Sequence, residues 1–216
     1  MPIEREIIYL FGFEMSGFDE NMVREYFELH GFMIRQQRQF VAQSRKKLAS
    51  ETVDFEVFNK AYQGAERNPN FLICASELPY IEKAIIGIRG WHNTQRFNPK
   101  MVKNSAEILK FLDKNLQKSK EPIFSEPVTK LAQEENWLKI LVLPSLPTSD
   151  PHRTECVELL KSHGVEGIIS FRTMLLDVVQ KIEVNKHYEK SEFMEILRLL
   201  KNYDLVKEPQ LGLFGD

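Results

Sequence analysis

Two short apolar runs, KILVLPSLP (139–147) and VEGIISF (165–171), bracket the amphipathic stretch HRTECVELLKSHG (152–164). Uninterrupted apolar runs of this length read as buried strands, and the stretch between them carries a helical period closed by Gly164. A strand, a covering helix and a second strand constrain the fold more than any other feature, because a buried sheet needs helices packed on it. Upstream, ETVDFEVFN (51–59) alternates with period two: Val53, Phe55 and Val57 face one way, Asp54, Glu56 and Phe58 the other. FMIRQQRQF (32–40) carries Phe32, Ile34 and Phe40 on one side, so the two segments are expected as neighbouring strands of an antiparallel meander. FLICASEL and AIIGIRGW, on either side of Pro79, supply two further apolar stretches. The expected class is α/β, a mixed central sheet flanked by helices with extra helices at the C-terminus.

Helix ends are marked by local chemistry. Asp19 is the expected N-cap of a helix over 19–31, with Phe18 and Val23 as a hydrophobic staple and Gly31 as the stop. Asn98-Pro99 starts a helix running to about residue 118. Its apolar stripe is Val102, Leu109, Leu112 and Leu116, and Lys103, Lys110, Lys114 and Lys118 gather opposite. VTKLAQEEN carries some helix, TMLLDVVQKI and SEFMEILRLLKNY read as two more, and Ser191 caps the last. The expected organisation is an α/β domain over 1–182, a helical extension over 183–207 and an extended tail over 208–216.

With 216 residues and 43% hydrophobic content, the chain can bury a sizeable core. Cys74 and Cys156 lie far apart in apolar runs without metal-binding spacing, and read as two small buried hydrophobes in a reducing compartment. No apolar run approaches the roughly 20 residues of a membrane span, so the protein is expected to be cytoplasmic with no membrane partner. The formal charge of -2 is unevenly spread, for residues 84–120 hold eight Lys or Arg against two acids. Such a patch is an electrostatic footprint for a polyanion or the wet side of a helix. A glycine-rich phosphate loop, a Gly-x-Ser-x-Gly elbow and a His-Glu-x-x-His pair are all absent from the sequence, and the five histidines stand singly.

Helix, strand, strand with an acid, strand ending at a charged position, helix and strand: this order resembles the PD-(D/E)XK, or restriction-endonuclease-like, nuclease fold over roughly residues 19–171. In active members of that family the second strand carries Asp and the third carries Glu (or Asp), any residue, then Lys. Side chains at i and i+2 share a face, so two acids hold Mg²⁺ while the ammonium sits beside the attacking water. Asp54 falls on the first acid, and Gly87-Ile88-Arg89 falls on the Glu-x-Lys position. The resemblance implies a cleft shared by Asp54, Glu56 and Arg89, with Asp54 as metal ligand and Mg²⁺ or Mn²⁺ as cofactor. Two departures matter. Gly87 removes a carboxylate, and Arg89 stays protonated and cannot accept a proton. Glu56, or Glu25 or Glu28 of the first helix, would have to supply the missing ligand. Alternatively, Arg89 is an ion-pair partner for Asp54, Trp91 belongs to the core and His92 caps a turn. Lys103, Lys110 and Lys114 are the expected DNA contacts.

The tail QLGLF (210–214) resembles the peptide Gln-Leu-(Ser/Asp)-Leu-Phe by which bacterial polymerases and repair proteins hold the replicative sliding clamp, with Gly212 the one departure. The resemblance implies that Gln210 offers an amide while Leu211, Leu213 and Phe214 enter apolar pockets of the clamp. The competing reading packs Phe214 into a groove of its own domain. Three functions stay open: a nuclease-fold protein of DNA replication or repair with weakened chemistry, a non-catalytic DNA-binding or adaptor module, and an interaction protein that touches no nucleic acid.

Overall fold

The computed structural model describes residues 17–36, 55–91, 97–118, 123–124 and 126–206. Five strands form one mixed sheet in the order β1 (Phe32–Gln36), β2 (Phe55–Asn59), β3 (Lys83–Ile88), β4 (Leu138–Leu143) and β5 (Gly167–Ser170). The first three make an antiparallel meander, and β3, β4 and β5 run parallel. Helices α1 (Gly17–Leu29), α2 (Pro99–Val102), α3 (Ser105–Lys118), α4 (Glu126–Glu135), α5 (His152–Ser162), α6 (Phe171–Lys181) and α7 (Glu192–Asn202) complete the α/β architecture.

The parallel strands step in one direction across the sheet, so their crossovers pack on one face. There Ile85, Leu141, Leu143 and Ile168 meet Ile108, Leu112 and Leu116 of α3 and Cys156 and Leu160 of α5. The opposite face is left to α1, α6 and α7, whose Tyr26, Phe27, Met174, Val178 and Leu197 pack on Phe55, Val57, Ile86 and Val142. Each fully buried aliphatic or Phe side chain contributes about 1.5–3 kcal/mol relative to exposure. Helix α7 shares this core through Phe193, Met194 and Leu197.

Several ends follow the local chemistry. Asn98 accepts the Lys100 and Met101 amides ahead of Pro99, and Ser191 accepts the Met194 amide. Gly31 and Gly164 take φ of 81° and 78°, the left-handed region that closes α1 and α5. Other segments differ from expectation. The helix after Asn98 is two helices, because the Asn104 side chain accepts the Glu107 amide and caps a new start. Helix α1 begins at Gly17, which puts Asp19 inside the first turn, where a carboxylate favours the positive helix end. Phe18 is 56% exposed and meets Phe193 edge-on, so it is no staple to Val23.

FLICASEL is not a strand of the meander. Residues 60–82 leave β2 and cross to the far edge of the sheet, where Ile168 donates to Phe71 and Ile73 donates to Ile168, both at 2.8 Å. Leu72 there makes a parallel bridge to Ile168. The chain returns through a 3-10 helix, Ala75–Tyr80, which accommodates Pro79. A Cβ on Gly167 would lie 2.5 Å from Ile73 Cδ1, so glycine admits this close approach. Glu77, 5% exposed, locks the excursion: Arg67 donates to both carboxylate oxygens at 2.9 Å, and the Asn70 amide and side chain donate at 2.7 and 3.0 Å. These donors, the Arg67 guanidinium foremost, lower the Glu77 pKa to about 2.

On the α1 face, His30 Nε2 meets Asp177 Oδ2 at 2.5 Å, and Lys181 Nζ lies 3.3 Å from Nδ1. An ammonium donating to Nδ1 leaves that nitrogen unprotonated, so the imidazole is neutral and its Nε2–H faces Asp177. Burial lowers the His30 pKa against the pull of the carboxylate.

Candidate functional site

The register of the meander decides which side chains can meet at the end of β3. Glu56 pairs with Ile85, and residues directly opposite share a face, so Glu56 lies on the α3 side of the sheet. Positions 87 and 89 follow Ile85 on that side. Glu56 is 5% exposed and stands 3.5 Å from the Arg35 guanidinium on the neighbouring strand. Gly87 is buried beside Leu141 of β4. Asp54, the expected metal ligand, lies outside the described residues, as do His92 and the tail residues Gln210, Leu211, Leu213 and Phe214.

Arg89 continues the ladder, its amide donating to Val142 O at 2.9 Å. Its guanidinium donates to Ile88 O at 2.8 Å and Ile123 O at 3.0 Å. The cation is thus engaged with carbonyls at the strand end and in the α3–α4 connection. Glu25 and Glu28 do not come to this face, because α1 packs on the other one. The Glu25 carboxylate instead accepts from Asn21 at 2.9 Å and from the Ser191 hydroxyl that caps α7. Among the described residues, no group of three or more His, Cys, Asp or Glu is placed to hold a metal ion.

Lys103, Lys110 and Lys114 are exposed, the first just past α2 and the others on α3. Glu107, also exposed, sits four residues after Lys103 and three before Lys110, so a carboxylate interrupts the stripe. Trp91 is 5% exposed and meets Phe111 edge-on, which makes it a core residue. Of the cysteines, Cys156 is buried, and desolvation pushes its thiol up to about 11. Cys74 is exposed and lies 3.1 Å from the Ser76 hydroxyl, so the expectation of two buried thiols holds for one. Among the described residues no helix is long and apolar enough to cross a membrane.

No protein-family model, curated protein or solved structure matches the chain. The groups that sequence reasoning missed are the Arg67–Glu77 lock, the His30–Asp177 pair and a set of aromatic residues at the opposite end of β3. Each joins residues with no periodic relation, so spacing alone carries no signal for them.

Proposed function

We propose that this chain is a DNA-associated protein of replication or repair that uses a nuclease-like scaffold as a non-catalytic binding platform. One observation carries the reading. The strand that aligns with the Glu-x-Lys strand of the resembled nucleases has a buried Gly87 at the acid position, and Arg89 donates to main-chain carbonyls at the lysine position. A permanently protonated guanidinium so held is poorly suited to activating water. The order helix, antiparallel meander, helix and parallel strand supports the scaffold, and exposed Lys103, Lys110 and Lys114 support phosphate contact. In this reading QLGLF (210–214) recruits the chain to a bacterial sliding clamp.

A buried carboxylate at Glu56, two residues from Asp54, favours a second reading, in which both acids hold Mg²⁺ or Mn²⁺ for cleavage. Binding to duplex and single-stranded DNA across a salt series, with and without Mn²⁺, separates the two. The platform reading expects salt-sensitive binding without cleavage. It also expects that charge reversal at Lys103, Lys110 and Lys114 lowers the salt slope by about one unit for every phosphate set free. Metal-dependent cleavage abolished by Asp54→Asn would establish the second reading. Binding indifferent to salt and to the lysines would end both. A chain ending at residue 209 should lose clamp association and keep DNA binding.

A further inference from the structure

Beneath the N-terminal ends of β3 and β4 lies a cavity of about 380 Å³, walled by Tyr62, Tyr80, Lys83, Asn136, Trp137 and Leu138 among others. This is near the lower end of the roughly 300–1,000 Å³ typical of ligand pockets, so it suits one small ring system. Four separate pieces of chain build it: the excursion after β2, the end of the 3-10 helix with the start of β3, the corner between α4 and β4, and Glu166 ahead of β5.

The aromatic walls are held from outside the cavity. Arg67, fixed by Glu77, stacks with its guanidinium carbon 3.8 Å from the centre of the Tyr80 ring. Phe58 meets Trp137 edge-on at 4.7 Å, and Trp137 Nε1 donates to Glu135 at 2.9 Å. Positions held this way keep their geometry whether or not a ligand is present.

Of the polar groups around the cavity, Glu166 accepts the Lys139 amide at 2.9 Å and the Tyr62 hydroxyl accepts the Ala65 amide at 3.1 Å, while three others are uncommitted. Among the described residues the carboxamides of Asn68 and Asn136 and the Lys83 ammonium make no side-chain hydrogen bond, although Lys83 Nζ lies 5.4 Å from the Trp137 ring centre. Asn136 sits at a φ of 55°, in a turn where its side chain is not needed as a cap.

We propose that this cavity binds a single planar heteroaromatic ring of the nucleobase type. Aromatic faces accept any such ring by stacking, and the partly exposed Tyr62 and Tyr80 supply them here, since Trp137 is 8% exposed and belongs to the core. A carboxamide offers a donor beside an acceptor, the pair that matches adjacent ring and exocyclic nitrogens of a base. Glu82 and Glu166 line the same cavity with Lys83, and Glu166 lies 3.9 Å from the Lys139 ammonium, so no excess of positive charge is present to favour a ligand bearing several phosphates. The ring comes either as a free nucleoside or as the exposed base of a single strand. The site does not rest on the platform reading, because it lies at the other end of β3 from the face assigned there.

The full chain is titrated with adenosine, cytidine, ribose and a short single-stranded oligonucleotide, followed by tryptophan emission and by amide chemical shifts. Saturable quenching by a nucleoside but not by ribose, with shifts at Tyr62, Tyr80, Asn136 and Trp137, is the expected result. Response to the oligonucleotide alone would assign the ring to a strand. Asn136→Gly suits the positive φ and should leave the melting temperature intact, while weakening binding about fivefold or more through removal of one hydrogen-bonding edge. Lys103→Glu with Lys110→Glu should leave nucleoside binding unchanged even if DNA binding is lost. No saturable response up to several millimolar, or unchanged binding in Asn136→Gly, overturns the proposal.

Discussion

The two ends of β3 treat polar groups in opposite ways. At the Ile88 end, Arg89 is taken up by two carbonyls. Close by, Ser105 accepts the amides of Thr148 and Ser149 at 3.1 and 3.2 Å, which ties α3 to the loop after β4. At the Lys83 end Arg67 and Glu77 are fixed behind the wall and Tyr62 and Glu166 within it, but Asn68, Asn136 and Lys83 around the cavity make no side-chain hydrogen bond among the described residues. Charge or polarity in a cleft therefore does not by itself mark a site. What separates a joint from a site is whether the fold has already satisfied those groups.

Removing Arg89 gives the largest expected effect. Arg89→Met removes the donors to the Ile88 and Ile123 carbonyls and should cost about 1–3 kcal/mol in chemical unfolding. Lys83→Met at the other end should stay within about 0.5 kcal/mol of the parent chain. Equal losses would erase the contrast.

Next comes the approach of the excursion to the sheet edge. Gly167→Ala pushes against Ile73 Cδ1 and should cost about 1 kcal/mol by overpacking. Ile73→Val removes that methyl, so the double variant should recover most of the loss. Simple additivity of the two substitutions would show that the two side chains do not press on each other.

The loss of the lock carboxylate in Glu77→Gln is read most directly through acid. The Glu77 pKa is depressed from 4.5 to about 2, so its contribution is fully present above the unfolded value and disappears as pH falls from 4.5 towards 2. The parent chain should lose stability across that window, and Glu77→Gln should flatten that part of the profile. An unchanged acid slope would show that the lock contributes nothing to folding.

How much of this is legible in the sequence depends on range. Asn98, Ser191, Gly31 and Gly164 announce helix ends because capping is settled within four residues. The meander is legible from Val53, Phe55 and Val57, since period two needs no partner to be seen. FLICASEL shows in the sequence only as an apolar stretch, because it makes an edge contact to Ile168 and runs into a 3-10 turn, neither of which imposes a period. The break at Asn104 is hidden inside a continuous apolar stripe. For the candidate site, alternation suffices to put Glu56 and position 89 on one face, but no local signal foretells that carbonyls occupy the guanidinium. Tyr62, Tyr80 and Trp137 share a cavity only because the excursion folds beneath the strands.

That excursion also bears on the order in which a growing chain can reach its native state. The antiparallel partners β2 and β3 are neighbours in the sheet, yet the segment between them is anchored on Ile168, nearly half the chain further on. Closing so distant a contact carries a loop entropy that a tight hairpin would avoid. During synthesis the first three strands therefore emerge before the strand that fixes their connection. Helix α1 can cover part of their apolar face early, but α6 and α7, which complete that cover, lie beyond β4, which makes an arrested N-terminal half the aggregation-prone species of this protein.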